Sequence, residues 1–143
     1  MSGRVAETMG AGADAQAYAG RVARLICDEA VSLDAEPLGE MRRKLGPKGA
    51  EAAAARALDA VTELLARMDR QGVMSDPEAL VADAAALRGL SAELGLRTLA
   101  RAASHLADAA ARRDPAATGA TLARALRVGY HSLEAIWDRC AQS

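Results

Sequence analysis

The sequence predicts an all-α fold from three observations. Hydrophobic residues make up 51% of the 143 residues, so a core can form, but aromatic residues make up only 2% and phenylalanine is absent. The core must therefore consist of alanine and aliphatic side chains, and alanine-rich segments that are poor in valine and threonine favour helix over strand. Apolar residues also recur at intervals of three and four along most of the chain, which is the periodicity of amphipathic helices.

The length is that of a single domain. Residues 1–12 contain glycines at positions 3, 10 and 12 without lasting periodicity, so we expect a flexible tail followed by one helical domain over residues 13–143. Within that domain, Asp14 is a candidate cap for a first helix that reaches about Val31. The apolar positions of this helix are Tyr18, Val22, Leu25 and Ile26.

A short helix is predicted next, because Pro37 is suited to the first turn of a helix. Gly46-Pro47 is expected to end this helix. Four longer helices are then predicted over about 49–71, 76–94, 96–113 and 115–139. Since the connections contain only a few residues, neighbouring helices should be antiparallel. The predicted fold is thus an antiparallel up-down four-helix bundle with additional N-terminal helices.

The ends of these helices carry specific signals. Ser75 and Glu78 have the spacing of a capping box and Pro77 lies in the first turn, while Asp114-Pro115 is a cap followed by a first-turn proline. Gly72 is predicted to end the 49–71 helix, and Gly95 the 76–94 helix. The predicted core stripes are Ala54, Leu58, Val61, Leu65 and Met68; Leu80, Ala84, Leu87, Ser91 and Leu94; Leu99, Ala103, Leu106 and Ala110; and Leu122, Leu126, Gly129, Leu133 and Ile136/Trp137.

The charge balance argues against nucleic acid or a membrane surface as partner. The chain has 18 basic and 19 acidic residues, and its net charge is −1. It contains no apolar run long enough to cross a bilayer and no apolar signal-peptide core. Cys27 and Cys140 lie far apart and are expected to be free thiols in a reducing compartment, so a cytoplasmic location is predicted.

We expect no catalytic site, no metal site and no cofactor. The histidines, His105 and His131, and the two cysteines lack metal-ligand spacing. The glycine-rich phosphate loops and the hydrolase and zinc-protease motifs are also absent from the sequence.

One side of the 76–94 helix differs from its core stripe. It consists of Val81, Ala85, Arg88, Gly89 and Ala92. A glycine inside a helix costs about 1 kcal/mol relative to alanine, and the usual compensation is close approach by another backbone. That backbone belongs either to a neighbouring helix of the same chain or to a binding partner.

The segment from Leu87 to Gly95 resembles the signature helix of histidine phosphotransfer (HPt) domains, which reads His-x-Leu-Lys-Gly-Ser-x-x-x-Leu-Gly. Leu87, Gly89, Leu94 and Gly95 match this pattern, and Arg88 replaces the lysine. The resemblance extends over residues 38–139: Leu38 to Gly46 is similar to the short opening helix of the family, and Leu99 to Ala110 to the helix after the signature.

The phospho-accepting histidine of the family falls at Ala85, which has no lone pair with which to attack phosphorus. The resemblance therefore implies a non-catalytic docking domain of a bacterial two-component phosphorelay. Its expected partner is a receiver domain or a histidine kinase, and its partner-binding residues are Val81, Ala85, Arg88, Gly89 and Ala92. The chain is expected to be a monomer or a homodimer.

Two alternatives stay open. In the first, His131 or His105 accepts the phosphoryl group; residues 131–135 partly mimic the signature, although Glu134 reverses the required charge. In the second, the chain is a helical oligomerisation or interaction module unrelated to phosphorelays, and the face around Ala85 is buried.

Overall fold

The computed structural model describes residues 33–74 and 76–142. This part of the chain contains four α-helices and a 3-10 turn at Gly72–Met74. The helices are α1 (Ala35–Gln71), α2 (Pro77–Glu93), α3 (Arg97–Ala111) and α4 (Pro115–Gln142). The predicted all-α class is confirmed for these residues. The predicted tail and the predicted helix from Asp14 to Val31 lie outside them.

The two predicted helices on either side of Gly46-Pro47 lie end to end within α1. Gly46 has φ 78° and ψ 169°, which lie outside the helical region, so two helical segments meet there at a kink. Glycine tolerates this conformation because it has no Cβ. The predicted boundary at Gly46-Pro47 is therefore present, as a kink between the two segments.

Aspartates cap three of the described helices. Asp34 Oδ1 accepts a hydrogen bond from Glu36 N at 3.0 Å, Asp76 Oδ2 from Ala79 N at 3.2 Å, and Asp114 Oδ1 from Ala117 N at 3.1 Å. The cap predicted at Asp114 is confirmed. At α2 the N-cap is Asp76, which directly precedes Pro77, in place of the predicted Ser75, which lies outside the described residues.

Each described helix packs against two others, in the ring α1–α2, α2–α3, α3–α4 and α4–α1. The ends of α1 and α2 that meet at the 3-10 turn are joined by an ion pair. Arg67 Nη2 donates to Asp83 Oδ1 at 2.8 Å, and Arg67 Nε donates to Asp83 Oδ2 at 3.3 Å. This hydrogen bond and the nearby carboxylate raise the pKa of Arg67.

The core lies inside this ring. The predicted stripes of α2 and α3 are buried at every position. In α1 and α4 most predicted positions are buried or half-buried, but Trp137 is 41% exposed, so its assignment to the core is wrong. The largest fully buried side chains include Val61, Leu65, Met68, Leu80, Leu87, Leu96, Leu99, Leu106 and Val128.

Gly95 joins three elements of the fold. It has φ 77°, and it forms the turn between α2 and α3. Asp34 N, at the start of α1, donates a hydrogen bond to Gly95 O at 2.7 Å. A Cβ at position 95 would overlap the carbonyl group of Asp34. A glycine is therefore required here both by the turn and by the close approach of another backbone.

We predict that Gly95→Ala lowers the free energy of unfolding by roughly 2 kcal/mol or more, because the variant combines an unfavourable positive φ with backbone overlap. Denaturant unfolding measures this change. A loss below about 0.5 kcal/mol would contradict the proposed role of this junction.

Candidate functional site

The burial pattern of α2 separates its core side from an exposed side. Leu80, Ala84, Leu87 and Ser91 are buried. Among the predicted partner-binding residues, Ala85, Arg88, Gly89 and Ala92 are exposed, and Val81 is half-buried and packs against the core. We call Val81, Ala85, Arg88, Gly89 and Ala92 the α2 face. The structure thus brings the predicted residues together on one side of one helix.

Gly89 lies in open space. The site that a Cβ would occupy has no neighbouring atom within 4 Å. Its position is helical, so the turn chemistry that requires Gly95 does not apply. Among the described helices, none makes the close approach that would compensate for a glycine at position 89. The sequence left two sources for such a backbone, a neighbouring helix of the same chain or a binding partner. In the described part of the fold, no neighbouring helix supplies it.

The charge on the α2 face comes from Arg88. Arg88 is exposed and makes no ion pair with the residues that the structure describes. Arg97 and Arg101 are exposed on α3. Arg88 is adjacent to Gly89 in the chain. A positive charge thus lies beside small side chains whose backbone can be approached closely.

The two histidines lie outside the α2 face. His105 is exposed on α3. His131 is half-buried on α4, and its Nδ1 is buried without a hydrogen-bond partner. Neither histidine has a cation three residues later: the positions are held by Asp108 and Glu134.

Glu134 is a buried acidic residue, and its burial was not expected from the sequence. It is only 9% exposed, and its Oε1 is buried without a hydrogen-bond partner. Burial raises the pKa of Glu134, and the nearby charge of Asp138 adds to this increase. No signal in the sequence marks it, since its position in the helical pattern is that of a solvent-facing residue.

The described residues contain no group of three or more side chains that could hold a metal ion. Within the same ranges, none of the helices has the length and apolar character needed to cross a membrane. No protein-family model, curated protein or solved structure matches the chain.

We predict that Gly89→Ala raises the free energy of unfolding by about 0.5–1 kcal/mol, because alanine favours the helix and its methyl group meets open space. Denaturant unfolding measures this free energy. Gly95→Ala, measured in parallel, is the comparison, because both variants add one methyl group. Destabilisation by Gly89→Ala would mean that a part of the chain outside the described residues packs on this position.

We predict that the buried carboxyl of Glu134 makes stability fall as the pH rises. The pKa of Glu134 is raised in the folded protein above its ordinary value of 4.5, so the folded state binds more protons than the unfolded state between these two values. Stability is therefore lost as the pH rises from 4.5 through the folded-state pKa. Glu134→Gln should be more stable than the parent above this interval, and the difference should disappear below about pH 4.

The measurement for Glu134 is the denaturant midpoint of both proteins from pH 4 to 8, within the range of native carboxyl titration. Glu93→Gln, on an exposed glutamate, is the control for the loss of one negative charge. A difference between Glu134→Gln and the parent that stays constant across this range would refute the assignment.

Proposed function

We propose that this chain is a non-catalytic HPt-like docking domain of a bacterial two-component phosphorelay. In this proposal the four helices form an antiparallel up-down bundle in the cytoplasm, and the α2 face binds a receiver domain or a histidine kinase. The observation that carries the proposal is the exposure of Ala85, Arg88, Gly89 and Ala92 on one side of α2, with open space around Gly89.

The chemistry of the α2 face supports binding without phosphoryl transfer. Ala85 stands where the resemblance places the nucleophile, and a methyl group can neither attack a phosphoryl group nor retain one. Arg88 keeps a cation suited to a carboxylate or phosphate on the partner. The domain would regulate the pathway by occupying its partner, without joining the transfer of phosphate.

The energetic cost of Gly89 also supports a partner. A helical glycine is less stable than alanine by about 1 kcal/mol. No described residue approaches the position closely. The small surface formed by Ala85, Gly89 and Ala92 allows a second backbone to come close, and the added contact on binding would offset the cost of the glycine.

Phosphoryl transfer through His105 is the second candidate function. Its supporting observation is that His105 is exposed on α3, a helix that packs against α2. His131 is less suited, because its Nδ1 is buried and the nearest counterpart of the family lysine is the buried carboxyl of Glu134.

The test of the docking function is a binding titration of the purified chain against receiver domains and kinase dimerisation domains from its own cell. We predict that Ala85→Glu and Gly89→Arg each weaken binding by tenfold or more, about 1.4 kcal/mol, because each places a large charged group at the centre of the interface. Ala120→Glu, which makes the same change at an exposed position on α4, should leave binding within about twofold.

Three results would contradict the proposal. The first is an affinity that is equal in Ala85→Glu, Gly89→Arg and Ala120→Glu. The second is acid-labile phosphate on the chain after incubation with a phosphorylated receiver, lost in His105→Ala, which would establish the second candidate. A change of oligomeric state in Ala85→Glu, without binding to any receiver or kinase, would instead identify an oligomerisation module.

A further inference from the structure

The first part of α1, residues 35–45, lies before the kink at Gly46 and borders a cleft beside the end of α2. We call the residues that line this cleft the arm cleft. They are Pro37, Glu40, Met41, Lys44, Leu45 and Glu93. Five of them belong to α1, and Glu93 is the last residue of α2.

The apolar residues of the arm cleft form a row on one side of α1. Pro37, Met41 and Leu45 are four residues apart, which places them on the same side of a helix. Pro37 and Met41 are half-buried, and Leu45 is 55% exposed. An apolar surface bordered by polar groups is typical of a contact with another molecule, because its removal from water is favourable.

The arm cleft also carries charges of both signs. Glu40 is engaged by Arg43, whose Nη2 donates to Glu40 Oε2 at 2.9 Å. Lys44 and Glu93 are exposed, and neither makes an ion pair with the residues that the structure describes. One positive and one negative side chain thus border the same apolar row and are available to an outside partner.

A surface with this pattern is complementary to itself. Where two copies meet about a two-fold axis, residue i of one copy contacts residue j of the other, and j contacts i. Lys44 of each copy can then face Glu93 of the other while the apolar rows pack together. The α2 face lacks this property, because its one charged residue is Arg88 and two copies would bring like charges together.

We propose that the arm cleft is the interface of a homodimer. Met41 and Leu45 pack against the second copy, and Lys44 of each copy pairs with Glu93 of the other. The apolar row is short compared with the roughly 800 Å² that each partner buries in a standard interface, so we expect a weak dimer. The inference does not depend on the proposed docking function, since it concerns residues outside the α2 face.

Sedimentation equilibrium of the full chain, from about 10 μM to 1 mM, measures this association. We expect a monomer–dimer equilibrium without larger species, because a two-fold contact closes on itself. Leu45→Ser should weaken the association by about tenfold or more, since each dimer loses two apolar contacts. Leu45 is exposed, so the variant should keep its fold, and circular dichroism verifies this.

An exchange of charges tests the pairing of Lys44 with Glu93. Lys44→Glu and Glu93→Lys each place like charges opposite each other when identical copies meet, so each variant alone should associate about tenfold more weakly at low ionic strength. An equimolar mixture of the two variants should associate to within about threefold of the parent, because both contacts of the mixed dimer join opposite charges. A pair within one chain could not be restored by mixing. Lys48→Glu, on an exposed residue outside the arm cleft, is the matched control and should leave association unchanged.

Three outcomes would overturn the proposal. The first is a chain that stays monomeric up to about 1 mM. The second is a dimer that is unaffected by Leu45→Ser and Lys44→Glu, or that dissociates in Ala85→Glu, since either result places the interface elsewhere. The third is a mixture of Lys44→Glu and Glu93→Lys that associates no better than either variant alone.

Discussion

The contact between Asp34 and Gly95 sets the arrangement on which the α2 face depends. Gly95 forms the turn from α2 to α3, and its carbonyl oxygen accepts the hydrogen bond from Asp34 N. One residue thereby ties the start of α1 to the hairpin of the next two helices. Leu94 and Leu96 are buried on either side of it. The buried residues of α2 face the core, so Ala85 and Gly89 are directed away from it.

The two glycines near the end of α2 thus have different roles, although both match the same family pattern. Gly95 is explained within the chain, by a positive φ and the backbone of Asp34. Gly89 has ordinary helical geometry and open space around it. Because the fold itself requires glycine at position 95, the match to the family pattern there carries little functional information. The match at Gly89 carries more functional information, because the described fold does not require a glycine there.

Much of the fold was predictable from the sequence, because apolar periodicity directly reports which side of a helix is buried. The stripes of α2 and α3 follow from this rule alone. The rule also separates Ala85 from the core stripe, but it leaves open whether a neighbouring helix covers that residue. Trp137 was misassigned because apolar character alone does not determine burial; the adjacent Ile136 packs against the core, and Trp137 lies on a different side of α4. The burial of Glu134 was not predictable, because the pattern of a single helix reports which of its sides is apolar and contains no information about what surrounds a polar position.

Gly89 and Glu134 each lower the stability of the fold locally. The interactions that compensate for them come from different places. Gly89 weakens a helix and is exposed, so a compensating contact for it can come from a separate molecule. Glu134 is a carboxyl without a hydrogen-bond partner and is already covered, so the free energy that keeps it buried is supplied within the chain. The first site is consistent with a reversible docking surface, and the second with a contact that is part of the folded chain.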